Sequence, residues 1–498
     1  MALARGSGAG TGGEPVIRAP RALRDAALAL ALAGAGGCAV GPNYVRPPFE
    51  TPTAFKELEG WKRAEPKDAE LRGSWWEVFG DPDLDALETQ VVAANQTLAQ
   101  AVATYAESRA LVREARSSYF PTVAIGIGAT RSRASANIAN FSSTQGAVTE
   151  QSLPVDASWE PDLWGRVRRS VESQQAGAQA SAGDLASAQL SLQAQLAQDY
   201  FTLRTLDAVR RLLDDTVVAF ETSLQMTKNR YDAGVAARTD VVQAQAQLET
   251  TRAQAIDVGV QRAQTEHAIA RLVGRPPEQL SIASDPLDAT PPSVPVGLPS
   301  ELLERRPDIA AAERRMAAAN AQIGVAESAY YPTVTLSASG GFESASLAEW
   351  FTWASRLWSV GPSVSETVFD GGLRRAQTDF ARASFDASVA AYRDTVLGAF
   401  QGVEDQLAAL RIFQDEAVAQ AAAVEAARES VVLTTNQYRA GTVSYLDVVT
   451  VQAIALADER TDVELRGERM TASVLLIEAL GGGWSSADLP TASQVTKR

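Results

Sequence analysis

The sequence predicts a mainly α-helical chain that also carries a few membrane-spanning β-strands. Three observations lead there: the body is written twice, each copy holds a long helical stretch, and each copy holds two short segments of alternating polarity.

The duplication sets the frame. Asn95 to Val123 aligns with Arg306 to Val334, pairing Ala101 with Ala312, Ala106 with Ala317 and Tyr119-Phe120-Pro121-Thr122 with Tyr330-Tyr331-Pro332-Thr333. Further on, Asn229-Arg230-Tyr231-Asp232-Ala233-Gly234 matches Asn436-Gln437-Tyr438-Arg439-Ala440-Gly441, and Asp240-Val241-Val242 matches Asp447-Val448-Val449. Anchors in the same order at nearly the same offset place repeat 1 at 82–274 and repeat 2 at 298–481. Residues 275–299 carry seven prolines, so the segment between the copies, set at 275–297, reads as an irregular connector. A tail, 482–498, follows the second copy.

The helical stretch of repeat 1 runs without proline from Gly165 to Arg230. Leu185, Leu192, Leu196, Leu203, Leu206, Leu213, Val217, Phe220 and Leu224 recur there at heptad spacing, the seam of packed helices. At 1.5 Å per residue such a helix reaches on the order of 100 Å, so the molecule is expected to be long in one direction. The other faces are mostly Ala, Gln, Ser and Thr, so one side is expected to face water.

Strands are expected at 120–131 and 153–163 in repeat 1 and at 332–343 and 357–369 in repeat 2. Val123, Ile125 and Ile127 alternate there with Thr122, Ala124 and Gly126, and Val334 and Leu336 with Thr335 and Ser337. Each is roughly 10 residues, the length that spans an outer membrane when tilted. Tyr119, Phe120 and Trp164 in one copy, and Tyr330, Tyr331 and Phe369 in the other, collect at one end as an interfacial girdle. Hairpins of a water-soluble sheet would alternate in the same way, and what tilts the reading towards lipid is the leader. Four strands cannot close a barrel, and an open edge is not tolerated in hydrocarbon, so closure requires other subunits.

That leader is residues 1–37. Arg18, Arg21 and Arg24 precede an Ala/Leu run, Ala26 to Ala35, that stops at Gly36-Gly37-Cys38, the order of an export signal. Cys38, the one cysteine of the chain, stands where a lipoprotein signal peptidase cuts, so it is expected to be the acylated first residue of an extension covering 38–81. The residues before it are Ala35-Gly36-Gly37 where a large aliphatic is usual, and a free thiol behind a conventionally cleaved leader is the other reading.

Composition removes several classes of function. The 498 residues carry 45 Lys+Arg against 60 Asp+Glu, and loss of the leader takes the formal charge from −15 to −17, unsuited to nucleic acid. One Cys, one His and four Met leave no metal cluster and no expected cofactor. His267 sits in a helical stretch with no nucleophile signature, so no active site and no enzyme is expected. The Gly-rich Gly6 to Gly13 lies in the leader and lacks a phosphate-binding Lys.

With these features together, the chain resembles the outer-membrane efflux channels of the TolC-like family, in the lipoprotein branch that serves resistance-nodulation-division multidrug pumps. The likeness covers nearly all of the mature chain. Its carriers are Gly37-Cys38-Ala39-Val40-Gly41-Pro42-Asn43-Tyr44 with Pro47-Pro48, Trp75-Trp76, Phe79 with Asp81-Pro82, the Tyr-Phe/Tyr-Pro-Thr strand starts and the paired Tyr-x-x-Gly turns.

The resemblance implies a homotrimer whose four strands per subunit make a 12-stranded barrel, continuous with a helical barrel that extends into the periplasm. It implies outer-membrane lipid, a periplasmic adaptor and an inner-membrane pump as partners, with drugs or other small molecules leaving through the lumen. The turns at Tyr231 to Gly234 and Tyr438 to Gly441, with Thr442 beside the second, would form the periplasmic tip where the adaptor docks, with Gly234 and Gly441 at tight helix exits. Asp240, Asp447 and Tyr438 would belong to the gate, where a ring of carboxylates disfavours joint ionisation and attracts cations. Plain helix capping by the two aspartates is the equal alternative. Val443 stands where some relatives carry an Arg latch. Protein secretion or metal export through the same architecture, and a soluble periplasmic coiled-coil scaffold, are the rival functions.

Overall fold

A computed structural model describes residues 39–49, 51–57, 73–133, 135, 146–292, 294 and 301–497. The leader and Cys38 lie outside them, as do parts of the N-terminal extension and of the connector.

In chain order, α1 (Pro82–Ala94) and α2 (Gln96–Ser117) lead to β1 (Thr122–Ile125), β2 (Gly128–Ser132) and β3 (Val148–Trp159). The long α3 (Arg166–Asp232) and α4 (Arg238–Leu272) complete the first copy. The short α5 (Leu302–Arg305) opens the second, followed by α6 (Pro307–Ser328), β4 (Thr333–Ser344), β5 (Arg356–Ser365), α7 (Leu373–Arg439) and α8 (Tyr445–Ala479), with α9 (Ala492–Val495) in the tail. The long helices of the two copies have equal lengths, 67 residues for α3 and α7 and 35 for α4 and α8. Among the described residues, no helix is long and apolar enough to cross a membrane.

The chain divides into two compact units. The first, comprising Met1–Pro42, Arg116–Ser170 and Ala321–Asp379, holds every strand among the described residues. They form one antiparallel sheet in which β3 and β4 are central, β5 is one edge, and β1 and β2 lie end to end as the other. The sheet thus joins a hairpin from each copy through the β3–β4 pairing.

Three expected boundaries shift. The first strand is interrupted at Gly126 and Ile127 although its register against β3 continues unbroken, because the residue opposite Gly126 is Pro154. Gly126 N–H donates to the Pro154 carbonyl at 2.9 Å, but the proline has no N–H to return the bond. The second strand begins at Val148 rather than 153 and ends at Trp159, since Glu160 to Trp164 are taken by the capping of α3: Asp162 accepts from Val167 N at 3.0 Å and Arg168 N at 2.9 Å. The fourth ends at Ser365, and Asp370 caps α7 in the same manner through Gly372 N.

The second unit comprises Asn43–Ala115, Val171–Asn320 and Phe380–Arg498. Its largest core gathers Trp75 and Trp76, Leu84 and Leu87 of α1, Leu196, Tyr200 and Leu203 of α3, Ile269 of α4, Leu407 of α7 and Leu476 of α8. Polar clamps fix the segments that cross it. Tyr200 donates to Asp81 at 2.6 Å, Arg204 reaches Asp83 at 2.9 Å and the Ala283 carbonyl at 2.7 Å, and the buried Asp207 holds Arg262 at 2.7 Å. The proline-rich connector is therefore tied down at residues 282–287, and its described residues hold one turn of helix at Pro277–Gln279. Glu88 is wholly buried and neither carboxyl oxygen has a hydrogen-bond partner among the described residues, so burial pushes its pKa up to about 9 and it stays protonated at neutral pH.

Candidate functional site

Alternation along the registered strands sorts the sheet into two chemically distinct faces. Val123, Ile125, Leu153, Val155, Trp159, Leu336, Phe342, Trp358, Val360 and Val364 share one side; Ser152, Asp156, Ser158, Thr335, Ser337, Ser339, Ser359 and Ser363 share the other. Nothing among the described residues covers the apolar side: Ile125 is 73 % exposed, Val360 72 % and Trp358 79 %. A face this apolar, continuous over four strands, needs an apolar surrounding, and its polar back needs water.

The six aromatic residues expected in a girdle all lie at the end of the sheet where the strands meet the helices. Trp164 stacks on Tyr331 with centroids 4.9 Å apart and donates to the Pro332 carbonyl at 2.7 Å, while Trp159 donates to the Tyr119 carbonyl at 3.0 Å. Tyr330 carries the Arg374 guanidinium 5.4 Å above its ring, and Phe120 and Phe369 are exposed. A second aromatic group at the opposite end escaped the sequence reading, although Trp350-Phe351 and Trp353 spell it out in the β4–β5 turn. Trp350 stacks on Phe351 at 5.1 Å, and Phe351 meets Phe342 at 5.5 Å.

Although Cys38 is outside the described residues, its neighbour Ala39 is seated against the first turn of α3. Val40 N donates to the Trp164 carbonyl at 3.0 Å, and Arg169 holds the Val40 and Gly41 carbonyls at 3.1 and 3.0 Å. Glycines permit the approach: a Cβ on Gly165, whose φ is +86°, would stand 2.8 Å from Ala39 Cα, and one on Gly324 would stand 2.8 Å from the Val40 carbonyl oxygen. The chain from Ala39 onward is thus fixed beside Trp164.

The two turns expected at the tip are the α3–α4 and α7–α8 connections of the second unit. Gly234 and Gly441 take φ of +75° and +77°, and Val235 N and Thr442 N bond back to the carbonyls of Arg230 and Gln437. The turns are packed together. Tyr438 is buried and donates to Asp240 Oδ2 at 3.3 Å, the Arg230 guanidinium lies 4.8 Å above the Tyr438 ring, and Arg230 also donates to the Arg439 carbonyl at 2.8 Å. Burial, reinforced by the Asp240 charge, raises the Tyr438 pKa. Tyr445 meets Tyr438 at 5.2 Å, exchanges a hydrogen bond with Ser223 at 3.1 Å, and closes a small core with Phe220, Leu224, Leu248 and Val448.

Asp447 has a different environment from Asp240. Its carboxylate accepts from the Ser444 hydroxyl at 2.7 Å and from Ser444 N at 2.9 Å, a capping box at the start of α8, and those bonds hold its pKa below the usual carboxylate range. Tyr231 is exposed, as are Gly234, Gly441 and Thr442. Val443 packs against the small core, so no latch to a charged partner is made from that position. His267 is exposed on α4.

The model of the outer membrane efflux protein family matches residues 87–275 and 298–482. The chain belongs to that family. It is 33 % identical over 469 residues to the toluene efflux pump outer membrane protein TtgF of Pseudomonas putida, covering 92 % of this chain and 96 % of that one. It is 30 % identical over 456 residues to the pyoverdine export outer membrane protein OpmQ of Pseudomonas aeruginosa, covering 91 % and 95 %. Among solved structures, the outer-membrane channel OprN superposes with a TM-score of 0.83 at 32 % identity, covering 90 % of this chain and 100 % of that one. The efflux protein is an outer-membrane exit duct of a tripartite efflux system. The apolar side of its sheet is the part of the chain suited to lipid.

Proposed function

We propose that this duct is a homotrimer in which the open edges, β5 on one copy and β1/β2 on the next, pair to close a 12-stranded barrel around the hydroxyl-lined face. The observation that carries the reading is the sheet itself: among the described residues, one chain has two unpaired edges and an uncovered apolar face. Unpaired strand edges are intolerable in hydrocarbon, and pairing with identical neighbours satisfies them with no other protein.

Acylation of Cys38 would add an anchor at the girdle, consistent with the seating of Ala39. A periplasmic adaptor would dock at the paired turns around Tyr231, Gly234, Gly441 and Thr442, linking the duct to an inner-membrane pump of the resistance-nodulation-division type. In the gate, the Asp240–Tyr438 bond would hold the two turns together, while Asp447 serves its helix. The cargo would be small organic molecules, in keeping with relatives named for toluene and pyoverdine.

Protein taken from separated outer membranes should run as a heat-dissociable trimer and conduct ions in planar bilayers. A detergent-free soluble monomer without conductance would refute the reading.

A further inference from the structure

We propose that the outer rim of the barrel is a docking site for the phosphorylated glycolipid of the outer leaflet, its phosphates held between Arg131 and Arg356 and its acyl chains laid on the neighbouring aromatic rings. The inference rests on the closed-barrel reading above.

Arg356 is the first residue of β5 and sits opposite Phe342, which places it on the apolar face at the end remote from the helices. Arg131 lies at the same end of β2, and its partner Thr149 alternates with Gln151 and Leu153, so it too belongs to the apolar face. Both are exposed, and neither forms an ion pair among the described residues. Of the carboxylates at this end, Glu150 and Glu343 alternate onto the polar side, and Glu349 in the β4–β5 turn forms no ion pair with either arginine among the described residues. At the helix-proximal end the pattern is the reverse: Arg166, Arg168 and Arg374 are paired with Glu160, Asp162 and Asp370 at 2.8, 3.1 and 2.6 Å.

An uncompensated guanidinium on a lipid-facing surface is costly unless it reaches headgroup level and meets an anion there. Phosphate suits it best, because the planar fork of Arg binds two phosphate oxygens at once. The apolar component is also present. The Arg356 guanidinium lies 3.5 Å from the ring centre of Trp353, which is 78 % exposed, and Trp358 and Phe351 are exposed beside it. Rings at this level match an interfacial belt and offer flat surfaces to acyl chains. Arg131 and Arg356 stand on opposite edges of the sheet, so closure brings one copy's Arg356 towards the next copy's Arg131, and each site is complete only between two copies.

Native mass spectrometry of the full-length protein tests this, using purified lipopolysaccharide and phosphatidylglycerol as separate probes. The parent should appear as a trimer that retains lipopolysaccharide; Arg131→Gln with Arg356→Gln should cut the retained fraction at least about tenfold, and Trp353→Ala several-fold, with the trimer mass unchanged. A trimeric double variant that keeps lipopolysaccharide as the parent does would overturn the inference alone. Equal retention of phosphatidylglycerol with the same arginine dependence would overturn its commitment to the glycolipid. Absence of the trimer would overturn the closed barrel and the site with it.

Discussion

The two helix turns, Tyr231 to Gly234 and Tyr438 to Gly441, come from nearly the same sequence and do different work. In the second copy Tyr438 is 3 % exposed, bonded to Asp240 and covered by Arg230; in the first, its counterpart Tyr231 is 43 % exposed and outside the small core. The aspartates diverge in the opposite sense. Asp447 is engaged by Ser444, whereas the residue equivalent to Ser444 is Ala237, which offers no side-chain cap, and Asp240 is left free to accept from Tyr438. A duplicated motif has become a donor in one copy and an acceptor in the other, and the change of one capping residue decides which aspartate is available.

The largest effect should come from removing the buried ring. Tyr438→Ala should cost about 3 kcal/mol or more, read as lost hydrogen-exchange protection in residues 220–248 and 438–448, while Tyr231→Ala should stay within about 0.5 kcal/mol. Equal losses would show that the turns are equivalent after all. Next is Tyr438→Phe, which keeps the ring and deletes the hydroxyl: about 1 kcal/mol, with more frequent opening in bilayer conductance, and no change for Tyr231→Phe.

A more discriminating variant is Ala237→Ser. It should build a capping box with Asp240, gaining up to about 1 kcal/mol of helix stability while drawing the carboxylate from Tyr438, so that stability and channel opening rise together. The smallest effect concerns acid. Because the Asp447 pKa is lowered in the folded chain, its contribution is complete above the ordinary carboxylate pKa and fades as pH falls through the lowered folded value. Ser444→Ala should therefore flatten the acid limb of a thermal-denaturation profile below about pH 4, and an unaltered limb would place the effect elsewhere.

What was legible in the residues was what repeats or alternates. The duplication, the heptad leucines of α3 and the period-two face of the sheet were all readable, because each is a local pattern imposed by one geometry. Strand ends were not: capping by Asp162 shortened one strand, and a proline facing Gly126 across the sheet interrupted another. Tyr438 and Tyr231 looked alike because the difference lies in Arg230 and Asp240, about 200 residues away in the chain. Glu88 gave no hint of being buried, since α1 reads as a short acidic amphipathic helix whatever packs above it. The outer aromatic group was visible at Trp350, Phe351 and Trp353 but lay in a turn, where alternation offers no face.

The proposed duct depends on edge-to-edge joining of identical sheets, and cysteine pairs across that seam probe it directly. Val123→Cys combined in turn with Val360→Cys, Pro362→Cys or Val364→Cys should, on oxidation of intact outer membranes, yield a reducible dimer and trimer ladder for at least one pairing. Monomer throughout, with every introduced thiol open to a water-soluble maleimide, would contradict it.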